Sequence, residues 1–271
     1  MEIKNEDIIN LLVDKLRENR ESLSQDFFKV SSSTDTKFFI LDNLLPEDLA
    51  VNIFKYFPKK SMWNYTDTFR EKKYTFAKLD KLKNALPEQV TDCLQSKPVI
   101  EEIKEITLIP DLEGDPSLYA GGLSRMEESH FLNPHIDNSH DANRTRYRRL
   151  NLLYYVSPGI KEEDGGNFEL WDSQVKIPLK LPSKFNRLVV METNTHSWHS
   201  VDMVQSEVAR CCLSNYYFTR SSPTGGHYYH VTSFTGRPSQ AFRRLYGKID
   251  NFLRQKVATV LGLSRGKDLS R

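Results

Sequence analysis

Cysteine is scarce in this chain of 271 residues. The three cysteines, Cys93, Cys211 and Cys212, form no CxxC pair, and two of them are sequence neighbours that an ordinary disulfide does not easily join. A disulfide framework is therefore not expected, and this cysteine usage is typical of a reducing compartment. We expect a cytoplasmic protein.

Long apolar runs and an excess of one charge are also missing. Nowhere do eighteen apolar residues follow one another, so we expect no membrane-spanning helix. The opening MEIKNEDIIN lacks a basic segment followed by an apolar run, so we expect no secretory leader. The 38 Lys and Arg residues nearly balance the 36 Asp and Glu residues, so no overall field would attract nucleic acid. Nucleic acid is not expected as a partner.

The remaining composition is that of a globular protein. Hydrophobic residues make up 38% of the chain, and a chain of this length can bury a core without disulfides. We expect one main domain with appendages. The division we predict is an N-terminal helical extension at residues 1–36, a main domain at 37–222, and a C-terminal segment with an amphipathic helix at 223–271.

The first third of the chain reads as helical with one strand. Apolar residues recur at helical spacing in EDIINLLVDKLRENRE, which predicts an amphipathic helix. The stretch FFIL then predicts a strand, followed by a helix that begins near Pro46. Between Met62 and Val99 the pattern predicts only a short helix, from about Pro87 to Leu94.

From Leu118 onward, short apolar runs alternate with Gly, Pro, Asn and Asp, which is the pattern of an antiparallel sandwich or barrel. The clearest strands are RRLNLLYYVS, NFELWD, RLVVME and CCLSNYYFT, and Gly165 and Gly166 mark a tight turn before the second. The tail returns to helical spacing. Its apolar stripe comprises Phe242, Leu245, Ile249, Leu253, Val257 and Val260.

A histidine and an acid lie one residue apart in FLNPHIDNSHD. Side chains alternate across a strand, so His135 and Asp137 point to the same side and can converge on one ion. With 7 histidines and 36 acids in the chain, about one such pair arises by chance. Taken alone, the pair could equally be a surface turn.

A third ligand can come from THSWHSVDMV, at the edge of an apolar strand. A ferrous ion that activates oxygen needs two imidazoles and one carboxylate on one octahedral face, with the other positions free. His135, Asp137 and His199 could supply that face, and the absence of thiolates disfavours a structural zinc site. Because an odd separation sends His196 and His199 to opposite sides of an extended chain, only one of them fits such a site.

Five blocks resemble the Fe(II)/2-oxoglutarate-dependent dioxygenases, in particular the prolyl-4-hydroxylase-like branch. They are HID, LNLLYYVS, GGNFELWD, NRLVVMETNTHSWHSV and RCCLSNYYFT, and they span roughly residues 118 to 220. The resemblance implies an α+β, mainly β fold: an eight-stranded double-stranded β-helix, or jelly roll, with supporting N-terminal helices and a C-terminal helix. In the family a valine follows the second histidine by two residues, as Val201 follows His199, so the resemblance selects His199 and not His196.

The resemblance also implies Fe(II), with 2-oxoglutarate and O2 as cosubstrates and ascorbate as an accessory reductant. The far carboxylate of 2-oxoglutarate needs a planar, permanently charged donor, and Arg210 matches the family's arginine. Tyr155 matches a tyrosine that donates to the same carboxylate in hypoxia-type prolyl hydroxylases; the alternative is an ordinary aromatic strand residue. Parity places Asn151, Leu153 and Tyr155 on the inner face.

The activity implied by the resemblance is hydroxylation coupled to decarboxylation of 2-oxoglutarate. Halogenating relatives replace the acid with a small residue, so Asp137 favours hydroxylation or desaturation over halogenation. Two alternatives stay open: a non-catalytic binding module on the same fold, and a metal-dependent enzyme that does not use 2-oxoglutarate.

The sequence does not specify the substrate, which could be a protein side chain, a small molecule or a lipid-linked saccharide. The C-terminal helix combines its apolar stripe with basic residues. Such a helix packs on the core, pairs across a homodimer, or makes a peripheral contact with an anionic membrane. The basic residues are Arg243, Arg244, Lys248, Arg254 and Lys256.

Overall fold

The computed structural model of the protein describes residues 3–82, 86–115, 117–119 and 121–261, with the backbone alone for residue 248 and residues 257–261. Three short 3-10 turns lie among these residues, at Lys60–Met62, Leu79–Lys81 and Glu162–Asp164. The described part of the chain also forms six α-helices: α1 (Asn5–Glu18), α2 (Arg20–Phe28), α3 (Glu47–Lys55), α4 (Leu86–Leu94), α5 (Lys97–Thr107) and α6 (Ala241–Leu261).

Twelve strands of the described residues form one antiparallel sheet. Its order is β1-β9-β6-β11-β4-β3-β5-β10-β7-β8, with β12 paired to β5 and β2 paired to β3. The strands are β1 (Phe38–Asp42), β2 (Asn64–Asp67), β3 (Glu71–Phe76), β4 (Gly122–Met126), β5 (Phe131–Ile136), β6 (Tyr147–Tyr155), β7 (Phe168–Leu170), β8 (Leu179–Leu181), β9 (Arg187–Glu192), β10 (His199–Val201), β11 (Arg210–Thr219) and β12 (Ser233–Phe234).

The two faces of the sheet follow from alternation along its strands, as β6 shows. Leu150, Leu152 and Tyr154 belong to an outer apolar cluster that includes the helices. Leu153 and Tyr155 belong to a separate inner cluster with residues of β7, β9 and β10. Because successive side chains of a strand point to opposite faces, one strand serves both cores. The inner face is the one that carries the candidate site.

The N-terminal helices cover the outer face. Ile8, Leu12 and Leu16 of α1 are fully buried, in the same cluster as Val90 of α4 and Ile103 of α5. Burial of each such side chain stabilises the fold by about 1.5–3 kcal/mol. The predicted amphipathic helix and the mainly β jelly-roll core with supporting helices are confirmed.

Most of the predicted elements are present. The four clearest predicted strands correspond to β6, β7, β9 and β11, the strand at FFIL is β1, and the helix after Pro46 is α3. The helix predicted from about Pro87 to Leu94 is α4. The division at residues 36 and 222 stays a prediction.

Other elements differ from the prediction. The region from Met62 to Val99 also holds β2 and β3, which pair with each other and continue into β4 and β5. Helix α5 begins there as well, with a proline in its first turn. The sheet of the described residues has twelve strands, not eight, because these strands and β12 extend it.

The C-terminal segment joins the sheet through β12. Ser233 and Phe234 pair with Ile136 and His135 of β5, and α6 follows. The described part of the predicted apolar stripe is exposed, so it does not pack on the core. Its members Val257 and Val260 lie outside the described side chains. Within the described chain, no helix is long and apolar enough to cross a bilayer.

Asn186 joins the N-terminal part of the chain to the sheet. Its φ of 59° is left-handed, and its side chain is buried. Asn186 Oδ1 accepts hydrogen bonds from the Leu45 amide (3.1 Å) and the Tyr154 hydroxyl (2.8 Å), while its Nδ2 donates to the Leu45 carbonyl (2.6 Å). Asparagine suits this position because it tolerates a left-handed backbone and offers both a donor and an acceptor.

Replacement of Asn186 by alanine should destabilise the protein by about 3 kcal/mol or more, because three buried groups lose their partners. Glycine at the same position loses the same bonds but relieves the backbone strain, so Asn186→Gly should be milder by about 1 kcal/mol. Urea unfolding of both variants measures these differences. Equal stabilities of the two variants, or a loss below 1 kcal/mol in Asn186→Ala, would contradict this account.

Candidate active site

Two neighbouring strands bring together the three residues of the sequence-predicted triad. His135 lies near the end of β5, Asp137 follows that strand, and His199 opens β10, directly opposite His135 in the antiparallel register. One ligand atom from each residue lies within 4.8 Å of the other two. Each histidine Nε2 is 3.6 Å from a carboxylate oxygen of Asp137. The three side chains can contact one ion.

Local hydrogen bonds orient both imidazoles. His135 Nδ1 lies 3.0 Å from the Asn133 carbonyl, and His199 Nδ1 lies 2.9 Å from the Ser197 carbonyl. A carbonyl can only accept, so in each ring the proton resides on Nδ1 and the Nε2 lone pair is free to bind a metal. Each histidine is thus oriented by the residue two positions before it.

Asp137 is held on its Oδ2 side. Asn151 Nδ2 donates to Oδ2 at 2.7 Å, and the guanidinium of Arg148 lies 3.2 Å from the same oxygen. Asn151 is on the inner face of β6, where strand parity predicts it. These two donors fix the carboxylate orientation and leave Oδ1 toward His135.

Arg148 reaches the site because β6 contains a β-bulge. Tyr217 of β11 pairs with Leu150, but the next residue, Phe218, pairs with Arg148, so Arg149 is the additional residue. The bulge reverses the alternation and turns Arg148 to the same side as Asn151. The guanidinium carbon of this buried side chain lies 4.0 Å from the ring centroid of Tyr216.

The electrostatics favour a cation site. Burial lowers the pKa of His135 to about 3, and the neighbouring His199 ring acts in the same direction. Burial by itself would raise the pKa of Asp137, but Arg148 and the two imidazoles outweigh it and hold this pKa well below its usual range. At neutral pH, His135 is therefore neutral and Asp137 is charged, which is the state that binds a metal ion.

Aromatic rings pack against both histidines. The Phe234 ring stacks on His135 with centroids 5.1 Å apart and planes 17° apart, and Phe168 lies 5.7 Å from His199. Phe234 belongs to β12, so the C-terminal segment forms one wall of the site. Sequence analysis did not assign it this role, since only the pairing of β12 with β5 places it there.

Arg210 and Tyr155 meet on the inner face, away from any acid. Arg210 is buried; its Nε donates to Ser183 Oγ at 3.1 Å, and its guanidinium carbon lies 4.8 Å from the Tyr155 ring centroid. Among the described residues, no carboxylate forms an ion pair with Arg210, and the buried Tyr155 hydroxyl lies beside Arg210 and Ser183 without a hydrogen bond of good geometry. A buried cation and an orphan donor together call for an anionic ligand.

The predicted turn at Gly165 and Gly166 leaves room for this arginine. Both glycines have positive φ, 70° and 69°. A Cβ on Gly166 would lie 3.1 Å from Arg210 Cδ, and one on Gly165 would lie 2.1 Å from the Met203 carbonyl oxygen. The turn therefore requires glycine for space as well as for backbone conformation.

The remaining histidines lie outside the triad. His196 is exposed, and its ring contacts the Thr195 hydroxyl. His130 stacks near Tyr65 and Tyr74. His227 and His230, on the loop after β11 with Tyr228, form an aromatic group with His140 and with Tyr147 of β6. None of them belongs to the metal-competent cluster found among the described residues.

Several residues of the site were not assigned by sequence reasoning. Parity placed Asn151 on the inner face but gave it no role, and no local signal marks Arg148, because its orientation depends on the bulge. Ser183 and Phe234 come from segments without a motif. The orientation of these residues is decided by strand pairing.

The fold and the site define a class of protein: a jelly-roll metalloenzyme with two imidazoles and one carboxylate beside a separate buried arginine. Residues 121–218 match the family model of the 2OG-Fe(II) oxygenase superfamily. That interval contains the triad, Tyr155 and Arg210. The resemblance seen in the sequence is confirmed over this interval: residues 121–218 form a 2OG-Fe(II) oxygenase domain, and the protein is an enzyme.

Solved structures agree at the level of the fold. A prolyl 4-hydroxylase from Phytophthora capsici aligns with a TM-score of 0.56 and 16% identity, over 94% of this chain and 78% of that chain. A prolyl-4-hydroxylase from Pseudomonas putida aligns with a TM-score of 0.51 and 13% identity, over 74% of this chain and 100% of that chain. No curated protein sequence matches the chain. At these identities the likeness establishes a prolyl-hydroxylase-like fold only.

The low pKa of His135 predicts acid sensitivity of the metal-free protein. The imidazole has a pKa of 6.5 in its ordinary state and about 3 in the fold. Between these values the unfolded state binds more protons, so the free energy of unfolding falls as the pH falls, by up to about 1.4 kcal/mol per pH unit. Above pH 6.5 the His135 ring is neutral in both the folded and the unfolded state, so it no longer makes the free energy of unfolding depend on pH.

Urea unfolding of metal-free protein from about pH 7 to pH 4 measures this slope. The matched variant is His135→Gln, which cannot take up the proton, while every other titrating group remains. The stability of His135→Gln should depend less on pH than that of the unmodified chain. Parallel pH profiles would mean that His135 is not buried as a neutral group.

Proposed function

We propose that this protein is a hydroxylase: it couples hydroxylation of a substrate to the oxidative decarboxylation of 2-oxoglutarate to succinate and CO2. The observation that carries the proposal is a cation-competent triad together with a buried arginine that pairs with no acid of the described residues. O2 is the oxidant in this proposal, and ascorbate is an accessory reductant.

His135, Asp137 and His199 would hold Fe(II). Their donor set, two neutral imidazoles and one carboxylate, is that of non-haem iron sites with open positions. Bound iron with 2-oxoglutarate supplies the activation of O2 and the oxidation of a substrate C–H bond. The protein's part is to orient both rings through the Asn133 and Ser197 carbonyls, and to hold Asp137 in one orientation through Asn151 and Arg148.

Arg210 and Tyr155 would bind the far carboxylate of 2-oxoglutarate. The guanidinium supplies a permanent charge and planar donors, and the Tyr155 hydroxyl supplies a donor that makes no well-formed hydrogen bond to the described residues. Burial raises the pKa of Tyr155, so this hydroxyl keeps its proton at neutral pH. Ser183 fixes the arginine by accepting from Nε, which leaves the terminal nitrogens for the ligand.

The substrate remains a protein side chain, a small molecule or a lipid-linked saccharide, and nucleic acid is not proposed. The loop after β11 brings His230 and Tyr228 beside His140 and Tyr147, next to the strand that carries Arg148. These rings are candidates for contact with a substrate. Screening peptides and metabolites for stimulated succinate release identifies the class.

Removal of one ligand should abolish metal binding without loss of the fold. His199→Ala and Asp137→Ala are expected to lose the visible charge-transfer band that forms when Fe(II) and 2-oxoglutarate are added anaerobically, and to release no succinate above background. His196→Ala is the matched control, since His196 lies three residues before His199 and is exposed. An unchanged band in folded His199→Ala would refute the triad.

Adjacent tyrosines offer a second test, of the cosubstrate pocket. Tyr155→Phe removes a donor to a charged carboxylate, worth about 1.5–3 kcal/mol, so the dissociation constant for 2-oxoglutarate should rise about tenfold or more. Stability without ligand should hardly change, because the deleted hydroxyl makes no well-formed hydrogen bond to the described residues.

Tyr154→Phe is the matched control and should behave in the opposite way. Tyr154 faces the outer core and donates to Asn186, so its loss should lower stability by about 1 kcal/mol and leave 2-oxoglutarate affinity unchanged. Calorimetric titration with Mn(II)-loaded protein and urea unfolding measure the two effects. Equal affinities in both variants would exclude Tyr155 from the pocket.

A further inference from the structure

Helix α6 lies on the body of the protein with its polar side inward. Asn251 donates to the Phe234 carbonyl (2.9 Å) and accepts from the Phe234 amide (3.0 Å). Arg244 donates to the carbonyls of Gly236 and Gln174, each at 3.1 Å. Asp250 pairs with Arg70 at 2.5 Å. The contact therefore consists mainly of hydrogen bonds and ion pairs, the reverse of an ordinary amphipathic surface helix. At its margin, the half-exposed Tyr246 ring meets the Phe69 ring edge-on, with centroids 4.9 Å apart.

A glycine allows α6 to approach the body this closely. Gly247, in the middle of α6, is buried, and a Cβ there would lie 2.6 Å from the Phe234 carbonyl oxygen. Glycine inside a helix costs about 1 kcal/mol relative to alanine. Gly247 thus lets the polar side of α6 approach the body closely. Rotation of the apolar side toward the body would break the hydrogen bonds of the polar side.

The opposite side of α6 is apolar and exposed. Phe242 is 90% exposed, and five further large side chains are between 53% and 62% exposed. Monomeric soluble proteins rarely leave a contiguous apolar face of this kind uncovered. The six residues, called the α6 stripe, are Phe242, Leu245, Tyr246, Ile249, Phe252 and Leu253.

The spacing of the α6 stripe fits another helix. Phe242, Leu245, Ile249 and Phe252 are separated by three, four and three residues, which is the seam of two helices packed side by side. Tyr246 and Leu253 widen the seam on one side. A helix with the same seam is the simplest complement, and α6 of a second copy provides it.

The distribution of charge on α6 favours a second copy over an anionic membrane as the partner of the α6 stripe. Two cations of α6 turn to the body: Arg243 lies over the Phe131 ring, and Arg244 donates to body carbonyls. Arg254 lies 3.6 Å from Asp250 of the same helix, and Asp250 in turn pairs with Arg70. Lys256 is the one exposed cation among the described side chains of α6. A nearly uncharged stripe can meet its own copy without repulsion, whereas it offers little attraction to anionic lipid.

The area is sufficient for a specific pair. With roughly 150–200 Å² for a fully exposed side chain of this size, the α6 stripe presents on the order of 600 Å² per copy. Two copies would bury about 1,200 Å², which is within the range of stable protein interfaces.

We propose that the protein is a homodimer in which the α6 stripes of two copies pack against each other about a two-fold axis. The same patch then contacts itself, as a closed symmetric interface requires. The proposal uses residues outside the candidate active site, so it stands or falls independently of the proposed hydroxylase activity.

The test is the mass of the full chain in solution. Light scattering during gel filtration and sedimentation equilibrium should give twice the chain mass of 31.5 kDa. The variant Leu245→Glu with Ile249→Glu should give 31.5 kDa, because four carboxylates would be buried in the pair. Ile249→Ser is a gentler change and should raise the dimer dissociation constant about tenfold.

Val30→Glu is the matched control, an apolar-to-acid change at a 95% exposed site away from α6, and it should stay dimeric. Circular dichroism checks that every variant is folded. A monomeric full chain at tens of micromolar, or a dimer that survives both α6 variants in folded form, would overturn the proposal. Cosedimentation of a monomeric chain with phosphatidylserine vesicles, lost in Leu245→Glu with Ile249→Glu, would overturn it in favour of a membrane contact.

Discussion

The antiparallel pairing of β10 with β5 is the constraint on which the candidate site depends. It places His199 directly opposite His135, and the same row continues to Phe234 of β12 on one side and Leu170 of β7 on the other. A shift of the register by one residue would turn His199 to the opposite face. The metal site is therefore as well defined as the strand pairing on both of its sides.

The two buried arginines on the inner face, Arg148 and Arg210, differ in whether a carboxylate of the protein balances their charge. Arg148 has a carboxylate partner, Asp137, and stacks on Tyr216. Its charge is therefore balanced within the protein, by a residue of the triad. Arg210 has a serine, a thioether and an aromatic ring around it instead. A buried guanidinium without a counter-ion is costly in an empty protein, and that cost is recovered when an anion binds. The contrast is the physical basis for assigning the second arginine to a ligand.

The C-terminal segment connects two otherwise separate features. Through Phe234 it packs against His135, and through Asn251 the same residue's backbone is held by α6. The α6 stripe lies on the far side of that helix. The exposed α6 stripe is thus only one helix diameter away from a wall of the candidate metal site, and the helix between them is attached by directional hydrogen bonds.

Local sequence was enough for the features that depend on neighbours in the chain. Alternation in LNLLYYV determined which side chains of β6 face inward, and the paired glycines marked a turn that admits no Cβ. The spacing of His135 and Asp137 was enough to nominate two ligands; parity allowed only one of His196 and His199 as the third, and the family resemblance selected His199. Helix α5 carries an apolar repeat of its own at Val99, Ile103 and Ile106. The local sequence therefore contained enough information to predict this helix, although the prediction omitted it.

Only the tertiary structure decided the features that depend on pairing between distant segments. The bulge in β6 reverses the alternation and brings Arg148 to Asp137, against the direction that parity assigns. Strand β3 has a mixed polar sequence and is a strand because β4 and β5 pair with it. The apolar stripe of the tail was visible in the sequence, but its outward direction was not. Periodicity defines the two sides of a helix, and only the hydrogen bonds of Asn251 and Arg244 determine which side meets the body.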